Sequence, residues 1–209
     1  MTSLSYKISK KTRTLVQLAM FSAILIIMAL TPLGYIKTPG IEITLMVIPV
    51  AIGAIMTGPA GGAFLGAVFG LTSFAQCFGI SAFGVYLLSV NPFLTFVICF
   101  FPRLLTGYLV GLIYKSLSKI IKKNTILPVM IASVSSALIN TITFVFAFIV
   151  LFAKNQSVLD ALGADNIMSA ILVLITFNAV IEAGVTLFLG SAVSYSLMKF
   201  LPKSSPSSK

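Results

Sequence analysis

One arginine and one glutamate stand inside the long apolar runs of this chain. Arg103 and Glu182, with the amides Asn91, Asn140 and Asn178, are the groups with chemistry to offer. A guanidinium presents a planar fork of N–H donors that matches a carboxylate, while amides and a second acid can bond hydroxyls and amides. That set fits the binding of a small polar anion. It does not fit catalysis. The chain has no histidine and one carboxylate within an apolar span, whereas a proton relay or an intramembrane hydrolase needs His, paired carboxylates or a Ser with a base. A GxxxxGK[ST] phosphate loop is absent too, so ATP is not hydrolysed by that route.

These groups must be held by membrane helices. Of 209 residues, 58% are hydrophobic and 9% charged, with a mean hydropathy of +1.11. Lipid offers backbone groups no hydrogen-bond partner, so apolar runs of this length must be helical. The pattern predicts an all-α integral membrane protein, a single domain over 1–209 with six transmembrane helices in one bundle. The spans are expected at 14–35, 43–57, 59–76, 97–121, 126–153 and 167–198. The run that opens the chain continues past Leu30, which suits a retained first helix rather than a signal peptide.

Charge sets the orientation. Six spans put both termini on one side, together with Lys7, Lys10, Lys11 and Arg13 in a basic 1–13 segment. Lys115, Lys119, Lys122, Lys123, Lys199, Lys203 and Lys209 fall on the same side. The other side has Lys37 and Lys154, so the positive-inside rule makes both termini cytoplasmic. The net charge of +10 is thereby accounted for without nucleic acid, since no stacking aromatics lie among the lysines. The tail at 200–209 is short, polar and expected to be disordered.

In this frame Arg103 lies roughly 9 Å inside the external end of its helix, and Glu182 about 13 Å deeper. A direct ion pair would then need tilt, whereas a ligand or water could span the gap. The alternative is that Arg103 snorkels to the surface and the amides glue helices together. The uncharged segment 77–96, with Gly79, Gly84 and Pro92, is expected as an external loop, either a lid over a pocket or, alternatively, a membrane-dipping connector or part of the fourth helix. Cys77 and Cys99 are isolated in apolar surroundings and read as small buried hydrophobes; no metal set or cofactor is expected.

Small residues form a second pattern. Gly58, Gly62, Gly66 and Gly70 recur every fourth position, as do Gly107 and Gly111, and they read as grooves for close packing within the chain. Thr57-Gly58-Pro59 reads as a tight turn with Pro at the start of the third helix. Ala19 and Ala23 make a further small pair in the first helix.

The helix 2 to 3 stretch IGAIMTGPAGGAFLGAVFG, the FFPRLLTGYLVGLIYK segment and the overall plan resemble the S components, the substrate-binding subunits of energy-coupling factor (ECF) vitamin transporters. The resemblance implies a multi-pass protein of the bacterial cytoplasmic membrane. It implies partners as well, a transmembrane coupling subunit and two ATPase subunits, against which an AxxxA pattern like Ala19 and Ala23 packs. Substrate would bind outside, and the subunit would topple in the membrane to release it inside. The stretch TPLGYIKTPGIEITLMVIPVAIGAI, GLTSF at 70–74 and the Pro102-Arg103 pair most resemble members assigned to pantothenate. Riboflavin, folate and pyridoxine-type vitamins stay open, because 17 phenylalanines and 6 tyrosines could stack a flat ring. A stand-alone channel or scaffold is the rival from another class. A channel would want polar residues through the full depth of several helices.

Overall fold

A computed structural model describes residues 9–31, 34–37, 42–121, 126–152, 155–164, 166–172, 184, 186–193 and 196. Asn178, Glu182, the basic residues before Ser9, most of the expected last span and the 200–209 tail lie outside the described residues.

Helix α1 (Lys10–Leu30) begins where the Ser9 hydroxyl accepts from the Thr12 amide. It stops before the expected end at 35. Thr31 takes extended backbone, φ −120° and ψ 158°, as a residue preceding proline prefers. Beyond it the chain forms a two-stranded antiparallel ribbon, β1 (Tyr35–Lys37) with β2 (Glu42–Thr44), in register Tyr35 to Thr44 and Lys37 to Glu42. Among the described residues this short ribbon interrupts an otherwise helical chain, and the second helix, α2 (Val47–Thr57), starts after it instead of at 43.

Helix α3 (Pro59–Gln76) matches its expected span residue for residue. The turn between α2 and α3 is made at Gly58, whose φ of 83° suits a residue without a β-carbon. Pro59 follows at the first helical position, where its missing N–H leaves no bond unmade.

The segment expected as an external loop is largely helical. Ser81 caps α4 (Ala82–Val90), and the next helix, α5 (Pro92–Ile120), starts five residues ahead of its expected position at 97. The cause is Asn91, whose side-chain oxygen accepts from the Phe93 and Leu94 amides, both at 3.1 Å, with Pro92 opening the helix. Helix α6 (Ile126–Phe152) follows as expected, then the short α7 (Gln156–Ala161), helical residues 167–172 and a π-helical turn at Thr186–Gly190. Helices α1, α5 and α6 are long and apolar enough to cross a bilayer, and α2 is a shorter apolar helix.

The packing is organised by α3 lying antiparallel on α5, the most extensive helix pair among the described residues. A β-carbon added at Gly62 would overlap the Gly107 carbonyl, and one at Gly66 would overlap the carbonyl of Arg103. At the two ends of this seam, a β-carbon at Gly70 would lie 2.8 Å from Phe100 Cα, and one at Gly111 would lie 2.8 Å from Pro59 Cα. Both glycine series thus serve packing within the chain, as expected, and they meet each other. Inside lipid no hydrophobic force drives helices together, so backbone approach and the dispersion contacts it permits carry the association.

Three apolar clusters flank the seam. Phe21 and Leu25 of α1 pack on α2 and α3 around Leu65 and Phe69. Ala51, Ala54 and Ile55 of α2 meet Val110 of α5 and Val129 and Ala132 of α6. At the end of the bundle that holds Asn91, α4 and α7 close over α5 and α6 through Leu87, Ile98, Phe148, Phe152 and Leu159, and the Tyr86 hydroxyl ties α4 to α7 by donating to the Ser157 carbonyl at 2.9 Å.

If the seam sets the fold, Gly62→Leu should lower the detergent melting temperature sharply or abolish a monodisperse protein, because overpacking costs about 1–3 kcal/mol even where cores can yield. Phe64→Leu, on an exposed face of the same helix, should leave the melt nearly unchanged. Equal melts for the two variants would show that α3 and α5 do not touch through their backbones.

Candidate functional site

Arg103 lies on α5 about eleven residues from Pro92, roughly 16 Å along the axis, so the earlier helix start puts it deeper than the 9 Å expected. In an α-helix the Cα–Cβ bond leans toward the N-terminus, and the arginine follows it back by more than one turn. Its Nη1 donates to the Ile98 carbonyl at 2.8 Å. The guanidinium carbon stands 4.8 Å from the ring centre of Phe144 on α6 and 5.7 Å from that of Phe69 on α3. Three helices therefore meet at one cation.

The size of these contacts explains how the charge is tolerated. A charged group at the centre of a span costs about 2.5–3.5 kcal/mol on insertion scales. A hydrogen bond to a charged group returns about 1.5–3 kcal/mol, and a desolvated ring contact adds about 2 kcal/mol. The cation is held, but its donors are not used up. Of the five N–H groups in the fork, the Ile98 carbonyl takes one, and Nε is buried with no acceptor among the described residues. Such a group has donors left over that could meet an anion.

The other expected residues fall as follows. Asn140 is 5% exposed and sits on α6 one turn before Phe144, on the same helix face. Asn91 stands at the N-terminus of α5, where its carbonyl oxygen is committed to capping and its amide N–H groups are left to bond elsewhere. Asn178 and Glu182 lie outside the described residues. Ala19 and Ala23 are exposed on the face of α1 that turns away from Phe21 and Leu25, among exposed Leu15, Val16, Met20 and Ile27. Gln76, a further polar side chain at the end of α3, is not among the expected site residues and serves packing, donating from Nε2 to the Ala29 carbonyl at the end of α1 at 2.7 Å.

Phe69, Phe144 and the Ile98 carbonyl are the parts that sequence reasoning missed. The two rings are ordinary members of apolar runs, and only folding selects them. Pro102 did carry a signal, because a proline inside a helix leaves the carbonyl four residues earlier without its donor.

Comparison with known proteins follows the same direction. The family model described as ECF transporter, substrate-specific component, matches residues 13–194. The chain is also 28% identical over 193 residues to the pantothenate transporter PanT of Leuconostoc mesenteroides subsp. mesenteroides, which covers 88% of this chain and 92% of that protein.

Near the same end, the thiols of Cys77 and Cys99 are 3.8 Å apart, buried and unbridged. Iodine treatment of the purified protein should therefore consume both thiols as one intramolecular disulfide, counted by thiol titration after denaturation and cleavage-site mapping. Two intact thiols after treatment would mean that the end of α3 and the first half of α5 are not neighbours.

Proposed function

Since the chain belongs to the family of ECF transporter substrate-specific components, matched over residues 13–194, we propose that it captures pantothenate at the outer face of a bacterial cytoplasmic membrane. The observation that carries this reading is the Arg103 guanidinium, held between Phe69 and Phe144 with donors to spare. Pantothenate has a carboxylate at one end, an amide in the middle and hydroxyls at the other. The fork of Arg103 takes the carboxylate, with shorter and stronger bonds than neutral donors make. Asn140, one turn from Phe144, takes the amide or a hydroxyl, and Asn178 and Glu182 complete the far end. The amide of Asn91 faces the substrate at the mouth of the pocket, and α4 with α7 forms its cover. The name of the Leuconostoc relative supports pantothenate among the vitamins.

In this reading the chain has six transmembrane helices with cytoplasmic termini and does no chemistry itself. A transmembrane coupling subunit and two ATPases supply the energy. The exposed small face of α1 around Ala19 and Ala23 is where the coupling subunit docks, because flat residues let another helix approach closely. Bound vitamin then passes inward by rotation of the whole subunit, for which a smooth α1 surface is suited.

Equilibrium binding of labelled pantothenate to the purified chain should be saturable and resist competition by riboflavin, folate and pyridoxine. Arg103→Ala should weaken it by roughly 30-fold or more, the usual scale for removing one partner of a desolvated charge pair. Arg103→Lys should weaken it by roughly tenfold, because the charge remains but the bidentate fork is lost. Displacement by another vitamin would replace the substrate, and full affinity in Arg103→Ala would remove the site.

Docking is tested separately. Ala19→Leu with Ala23→Leu should abolish co-purification of the coupling subunit and ATPases in mild detergent while leaving vitamin affinity within twofold. Normal transport by that double variant would move the interface off α1.

A further inference from the structure

The backbone around Arg103 is broken in a way that its side chain repairs. Position 102 is proline, inside a 29-residue helix, so the Ile98 carbonyl has no N–H four residues on. The proline ring also crowds that carbonyl and pushes it off the helix axis. Arg103 Nη1 donates to this same oxygen at 2.8 Å.

The neighbouring backbone cannot swing to relieve this arrangement. Gly66 lies under the Arg103 carbonyl and Gly70 under Phe100, so residues 100–103 are pressed directly on α3. A guanidinium with one nitrogen tied to Ile98 and the Phe144 and Phe69 rings against it is restricted in where its remaining donors can point.

We propose that Pro102 is a positioning residue for anion binding: by leaving the Ile98 carbonyl free, it anchors the Arg103 guanidinium so that the fork is aimed before the ligand arrives. This rests on the reading that Arg103 binds the substrate carboxylate. An alanine at 102 would restore an N–H that competes for the Ile98 oxygen along the helix axis, where an ordinary bond of about 2.9–3.0 Å would form. The guanidinium would lose its tether and regain rotamer freedom, which binding would then have to remove. The effect is specific to charge. A ligand without a carboxylate has nothing to gain from the aimed fork.

The test compares pantothenate with panthenol, the neutral alcohol that carries CH2OH in place of the carboxylate. Binding of each is measured to the wild type, Pro102→Ala, Arg103→Ala and the double variant, with detergent melting as the check of fold. Pro102→Ala should weaken pantothenate by about tenfold, the equivalent of one lost charged hydrogen bond. Panthenol affinity should change less than twofold, and in the Arg103→Ala background Pro102→Ala should have no further effect on either ligand. A Pro102→Ala protein that keeps its preference for the acid overturns the inference while Arg103→Ala still weakens binding. Equal losses for acid and alcohol would make the proline merely structural, as would unfolding of both Pro102→Ala and Pro102→Gly. Unchanged pantothenate affinity in Arg103→Ala would instead overturn the anion site, and the positioning role with it.

Discussion

The contact on which the rest depends is backbone against backbone, Gly62 on Gly107, where α3 and α5 approach more closely than any side chain would allow. In water such an approach would forfeit apolar burial. In lipid burial is worth nothing between helices, and the dispersion of two bare backbones becomes the available gain. The glycines every fourth residue continue the contact from Gly58 to Gly70 and from Gly111 up to Phe100, so the two helices are locked in register. Helices α1 and α6 then pack around a rigid pair, and the pair determines what each can reach.

The cation site is a consequence of that register. Arg103 sits where Gly66 lets α5 lie against α3, which brings Phe69 within reach from one side, while α6 delivers Phe144 from the other. Neither ring is close to Arg103 in sequence. The guanidinium is therefore held by α3 and α5, whose register glycines set, together with α6, and one of its nitrogens by a carbonyl that a proline releases. At the end of the bundle nearest Asn91, α4 and α7 are joined through Tyr86 and Ser157 and through a cluster of buried Leu and Phe.

Several expectations shifted because a local bond outweighed hydropathy. Residues 77–96 read as a loop because they lack charge and contain Gly and Pro, yet Ser81 and Asn91 supply caps that start a helix at each place. The Asn91 side-chain oxygen serves as the cap of α5, with Pro92 directly after it as the mark of that role, and its amide N–H groups are left to bond elsewhere. The helix start at Pro92 in turn moved Arg103 deeper by about 7 Å, five residues at the helical rise. Thr31 before Pro32 ended α1 although the apolar run goes on, and a ribbon took the place of the missing turns.

What the residue order determined alone is the membrane class, the helical runs, the glycine grooves and the presence of one arginine where charge is costly, since each follows from composition and from periods of three to four residues. Tertiary structure decided which groove meets which, that Cys77 and Cys99 lie side by side, and which rings and carbonyl hold the guanidinium. The physical reason is range. Capping, helix phase and the cost of an unpaired charge act within a turn or two of the chain, whereas Phe69, Arg103 and Phe144 are joined by contacts that exist only once two backbones have closed on each other.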